Sequence, residues 1–162
     1  MRPHFHQLLA VFLFALPLSI FAQQPAPGFT LPTLPDDGEI SLTALKGRVV
    51  YLDFWATWCP PCRKSFPWMD EMQAQYGDDG LTIVAISIDR NRQLAERFIQ
   101  QMKPGFIIAH DAKGSVAKSY KVSAMPTSYL IDRDGNIVST HLGFRKSDEA
   151  KLERRIEDLL DQ

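Results

Sequence analysis

Cysteine is scarce in this 162-residue chain, which holds two. Two cysteines cannot build the multi-bridge framework that small secreted scaffolds use in place of a core. They cannot close a tetrahedral zinc site either, because no second Cys-x-x-Cys and no histidine pair at zinc-site spacing accompany them. Charge of one sign is also missing: 18 Lys and Arg stand against 19 Asp and Glu, a formal net charge of −1. Phosphate backbones are held by concentrated basic surface, so nucleic acid is excluded as the main partner. No apolar stretch reaches a clear membrane-spanning length. What remains, 45% hydrophobic and 23% charged, is the composition of one ordinary globular domain.

The longest apolar run lies at the start. MRPHFHQLLAVFLFALPLSIFAQQ begins with Arg2, runs apolar from Leu8 to Ala22, and ends in a small residue before Gln23 and Gln24. That is the three-part layout of a secretory signal, with cleavage expected after Ala22. An uncleaved membrane anchor is the alternative, because Ile20 is large for the minus-three position. No cysteine follows the run, which excludes lipid attachment through an N-terminal cysteine. Residues 1–22 are therefore read as a signal peptide, 23–27 as a linker and 28–162 as one domain. Removing Arg2 leaves 17 basic and 19 acidic residues, a charge of −2.

Within the domain, GFTLPTLPDDGEISL predicts two short strands around a turn at Asp36-Asp37-Gly38, with Pro32 and Pro35 marking edge or irregular strand. VVYLDFW, Val49 to Trp55, is a strand buried on both faces, interrupted by Asp53. A helix from about Pro61 to Tyr76 carries Phe66, Met69 and Met72 on one side, and Pro67 inside it predicts a kink. LTIVAISI is a second buried strand, followed by a helix over 92–102 with Leu94, Phe98 and Met102 spaced by four. FIIA is a short third strand and SVAKSY a short helix. SYLID and NIVSTHL form a hairpin around 132–136. The last helix takes Ser147 as N-cap and turns Leu152, Ile156 and Leu159 to the core. The whole is an α/β domain in which a hairpin follows parallel βαβ units.

Cys59 and Cys62 sit where the central strand ends and a helix begins, the sheet edge at which α/β folds place ligands. A thiol at a helix N-terminus meets unpaired amides and the positive end of the dipole, so its thiolate is favoured. Cys59 is then the exposed nucleophile and Cys62, one turn on, the resolving thiol. A staple closing two residues would stabilise almost nothing. Copper transfer using Cys59, Cys62 and His110 or His141 is the binding-class alternative. A peroxiredoxin pattern is absent, since Thr57 lies only two residues before Cys59.

DFWATWCPPC resembles the active-site segment of the thioredoxin superfamily, and Met125-Pro126-Thr127 resembles that superfamily's cis-proline loop. From Asp89 to Pro126 is 126 − 89 = 37 positions, room for the helix and strand over 92–109. With the N-terminal hairpin, LKGRVVYLDFWATWCPPCR and the closing hairpin, residues 28–160 are similar to the exported TlpA/ResA-like group. The resemblance implies a thioredoxin-like α/β fold with an N-terminal β-hairpin and a central helix–strand insertion. It implies a periplasmic thiol–disulfide oxidoreductase, acting as a reductase on protein disulfides, with thiol oxidant as the alternative. Cys59 would attack and Cys62 resolve, while Trp58, Met125, Pro126 and Thr127 would receive the substrate. No cofactor or metal is implied. Reducing equivalents would come from a DsbD/CcdA-type membrane thiol transporter, and the protein would act as a monomer. The resemblance leaves the substrate open among apocytochrome, copper-site assembly proteins and oxidatively damaged thiols. Many relatives carry Asn in the strand before the motif and Glu three residues after the second cysteine, where this chain has Asp53 and Ser65. Losing that Glu weakens the carry-over of a cytochrome-assembly role. Asp53 stands where thioredoxin has a buried acid, and is the candidate proton acceptor for Cys62.

Overall fold

The computed structural model describes residues 24–162; the signal-peptide reading of 1–22 lies outside the described residues. In chain order the strands are β1 (Gln24–Pro25), β2 (Thr30–Leu34), β3 (Glu39–Ser41), β4 (Val49–Trp55), β5 (Leu81–Ser87), β6 (Ile107–His110), β7 (Thr127–Ile131) and β8 (Asn136–Leu142). The helices are α1 (Pro60–Tyr76), α2 (Arg92–Met102), α3 (Ser115–Ser119) and α4 (Glu149–Leu160), with short 3-10 turns at Leu42–Leu45 and Lys146–Asp148. The strands form one sheet in the order β1-β8-β7-β4-β5-β6-β2-β3.

A strand without a polar face has to be covered on both sides, and the two strands of that kind take the middle. β4 and β5 are buried at every position and pair in parallel, joined by α1. β6 extends the parallel part through α2, and β7 joins β4 antiparallel before turning back into β8. Alternate residues of β4 then divide the core. Val49, Tyr51 and Trp55 face α1, α2 and α4, packing with Phe66, Met69, Ile99 and Ile156. Val50, Leu52 and Phe54 face the other way, toward α3 and the N-terminal hairpin, packing with Phe29, Val116 and Tyr129. Burying a large apolar side chain is worth about 1.5–3 kcal/mol, so these two layers dominate the fold's stability.

The N-terminal hairpin and the helix–strand insertion expected of a thioredoxin-like fold are both present. β2 divides its pairing, Thr30–Pro32 against β3 and Thr33–Leu34 against β6, which places the proline-bearing hairpin at one end of the sheet. Helix α1 is continuous through Pro67. Two local expectations are corrected. In α2 the buried residues are Ala95 and Ile99, with Phe98 partly buried, whereas Leu94 and Met102 are 42% and 36% exposed. Ala95 and Ile99, one turn apart, form the side that turns inward. Ser147 is not the N-cap of α4 either: a 3-10 turn intervenes and Asp148 takes that place.

Candidate active site

The site grows from the C-terminal end of β4. Loop residue Thr57 gives both its N–H and its hydroxyl to the Asp89 carboxylate, at 2.9 and 2.8 Å. The Ser87 hydroxyl donates to the same carboxylate at 3.0 Å, and Asp89 is buried. Asp89 thereby ties the loop before α1 to the end of β5. Its signal in the sequence is an acid directly after an apolar strand, which became informative only once β5 was seen beside β4.

Cys59 is the N-cap of α1, in extended conformation, with Pro60 and Pro61 in the first turn. Proline suits that turn because its missing N–H would have no helical acceptor. The Cys62 N–H points back to the Cys59 sulfur at 3.3 Å, the donor a Cys59 thiolate would use when the pair is reduced. Cys59 and Cys62 are joined as a disulfide. Cys59, expected to be the exposed member, is only 4% exposed, and Cys62 is fully buried. The order of accessibility is as expected, but attack on Cys59 is confined to one narrow approach.

That approach is a groove of about 500 Å³ lined by Trp58, Cys59, Pro60, Ile88, Val122 and Met125 among others. Trp58 is 66% exposed and forms part of its wall, while Trp55 and Trp68 are core. The Met125–Pro126 peptide is cis. The Pro126 carbonyl accepts from Gly143, whose φ of +77° suits glycine, and Thr127 donates its hydroxyl to Ala124. Both contacts fix the loop, and Met125 lines the groove. Arg63 and Lys64 are exposed on the helix beyond.

Beneath the pair, Asp53 lies on the same face of β4 as Tyr51 and Trp55, which cluster with both cysteines. It is 2% exposed and its Oδ2 has no hydrogen-bond partner. Burial holds its carboxyl well above the usual carboxylate range. Ser65, where many relatives would carry an acid, donates its hydroxyl to the Cys62 carbonyl at 2.8 Å and offers no proton acceptor of that kind. Of the histidines weighed for copper, His110 is buried with Nε2 2.7 Å from the Asp89 carbonyl. His141 lies on β8, 3.4 Å from Asp148. Among the described residues no three His, Cys, Asp or Glu side chains come together as a metal-binding group.

Residues 21–156 match the Redoxin family model. The chain is 36% identical over 140 residues to thiol-disulfide oxidoreductase ResA of Oceanobacillus iheyensis, covering 85% of this chain and 72% of that one. To ResA of Bacillus subtilis it is 34% identical over 131 residues, 81% and 73% of the two chains. Among solved structures, a Chlorobium tepidum protein assigned as thiol:disulfide interchange protein DsbE superposes with a TM-score of 0.82 at 45% identity, over 85% of this chain and 96% of that one.

Proposed function

This chain belongs to the Redoxin family as a thiol–disulfide oxidoreductase of thioredoxin-like fold, and from that premise we propose that it is an exported, periplasmic protein-disulfide reductase. The supporting observation is the Cys59–Cys62 disulfide at the N-terminus of α1, opening on an apolar groove beside the cis-Pro126 loop. A protein disulfide enters that groove as an extended segment against Trp58 and the Met125–Thr127 backbone. The Cys59 thiolate bonds to one substrate sulfur, and the other leaves as a thiolate. Cys62 then attacks Cys59, forming the intramolecular disulfide and expelling the second substrate sulfur with its electron pair. The Cys62 proton goes to Asp53, whose buried carboxyl is basic enough to hold it.

Each cycle leaves the enzyme oxidised, so a dithiol must restore it; a membrane thiol transporter of DsbD/CcdA type fits that need. Residues 1–22 as a signal peptide, 28–162 as the working domain and a monomeric state complete the reading. Its test is the redox state in cells, read by alkylating thiols with a mass tag. A reductase is held mainly reduced and becomes oxidised when the membrane donor is deleted. A protein that stays oxidised with the donor present would be acting as an oxidant.

A further inference from the structure

We propose that Ser128 and His141 carry protons from Asp53 to solvent, with the Asp148 charge favouring the imidazolium. This relay rests on the reading of Asp53 as proton acceptor for Cys62. A carboxyl that takes a proton in every cycle must also lose it, and Asp53 sits in the middle of a sheet.

The register shows one polar way out. A single row crosses five strands as Ile108, Ala85, Asp53, Ser128 and His141. Paired residues in neighbouring antiparallel strands hold their Cβ atoms roughly 4.5–5.5 Å apart on one face of the sheet. On the β5 side of Asp53 the row is apolar. On the β7 side it is a hydroxyl and then an imidazole.

Two buried atoms without hydrogen-bond partners flank that hydroxyl in the row, Asp53 Oδ2 on one side and His141 Nε2 on the other. Buried polar atoms are normally satisfied, so a pair of orphans on either side of one hydroxyl calls for an explanation. Ser128 is hydrogen-bonded to neither in the resting arrangement, and serves both once the Asp53 and His141 side chains turn onto it. Its Oγ accepts from the Tyr51 hydroxyl at 2.9 Å, which leaves one lone pair and its own hydrogen. The lone pair accepts the Asp53 proton while the Ser128 O–H passes its hydrogen to His141 Nε2. The His141 ring, 22% exposed, then releases a proton to water. Asp148 Oδ2 lies 3.4 Å from Nε2 and is itself held by the Arg145 N–H at 2.9 Å, placing a negative charge where the imidazolium forms.

Among the described residues, the other polar groups on this face can only donate or are committed elsewhere, Tyr76 to Glu153 and Glu157 among them. Tyr51 spends its hydrogen on Ser128, and its hydroxyl is held against ionisation by burial and by Asp53. Trp55 and Trp68 are donors only. From α1, Cys62 is the proton source and Ser65 is committed to the Cys62 carbonyl. From α4, Arg155 is committed to Ser139.

The test separates first-turnover resolution of a mixed disulfide from multiple-turnover kcat. Asp53→Asn slows both. His141→Gln and Ser128→Ala resolve the first turnover at the wild-type rate but lose about tenfold in kcat, short of the hundredfold or more of a residue at the reacting atoms. Imidazole in the buffer restores kcat to His141→Gly, a rescue that a packing role would not give. Wild-type kcat in His141→Gln, or a first turnover slowed as much as kcat, overturns the relay while leaving Asp53 in place. A wild-type first turnover in Asp53→Asn removes the Asp53 reading, and the relay with it.

Discussion

The two faces of β4 are built from one heptapeptide and could hardly be more different. On the side of Val50, Leu52 and Phe54 no buried side-chain polar atom of the described residues lacks a hydrogen bond: Tyr129 donates its hydroxyl to the Tyr120 carbonyl at 2.5 Å and Tyr120 donates to Pro27 at 2.8 Å. On the side of Tyr51, Asp53 and Trp55, the side that carries the disulfide, lie Asp53 Oδ2, Trp55 Nε1, Trp68 Nε1 and His141 Nε2. Those four are the buried side-chain polar atoms without a hydrogen-bond partner among the described residues. An unpaired buried group costs about 1–3 kcal/mol. The fold concentrates that cost beside the chemistry and keeps the opposite face quiet. Both faces hold the protein together, and the one that carries the disulfide is also arranged around a proton and an electron pair.

Substitutions can break or sharpen that contrast. The largest effect belongs to Cys62→Ser, which abolishes resolution and leaves substrate bound to Cys59; mass spectrometry of the accumulated mixed disulfide checks it. Next comes Asp53→Asn, expected to slow resolution about a hundredfold by removing a general base. Its stability should move the other way. The Asp53 carboxyl is raised in the fold, so between its ordinary value of 3.8 and its folded value the native state binds more protons than the unfolded one. Stability therefore falls as pH rises through that window, by up to about 1.4 kcal/mol per pH unit. Asp53→Asn escapes this loss, so urea melts should match wild type below about pH 4 and favour the variant increasingly as pH rises above it. A smaller change is expected for Trp58→Ala, about a few-fold rise in KM for a protein disulfide with the reduction potential unmoved, because the ring lines the groove. Leu52→Ala, on the quiet face, should cost about 2–5 kcal/mol in denaturant melts and leave the exchange rate of the folded protein as it was. A changed exchange rate there would dissolve the distinction between the faces.

How much of this could be read from the sequence depended on how local each feature is. Cys59 and Cys62 at a strand-to-helix junction, the doubly buried β4 and β5, and the Met125-Pro126-Thr127 loop are contiguous motifs and emerge in place. Asp53 could be picked out because a lone acid interrupts an apolar run. The partners of Asp53 could not. Ser128 and His141 reach its row through the β4–β7 and β7–β8 registers, and the latter shifts by one residue at Leu130/Ile131. No count along the chain anticipates that shift. The Thr57–Asp89 tie was hidden for the same reason, since it spans two parallel strands. In α2 the spacing of four read Phe98 rightly as a core contact but placed Leu94 and Met102 with it, where Ala95 and Ile99 are the residues buried.

The reduction potential of the Cys59–Cys62 couple, set by equilibration against glutathione or dithiothreitol buffers, tests the central claim most directly. A reductase requires a value near that of thioredoxin, about −270 mV, and every 30 mV shifts the two-electron equilibrium tenfold. A value near that of DsbA, about −120 mV, would make the protein an oxidant of its partners and contradict the account.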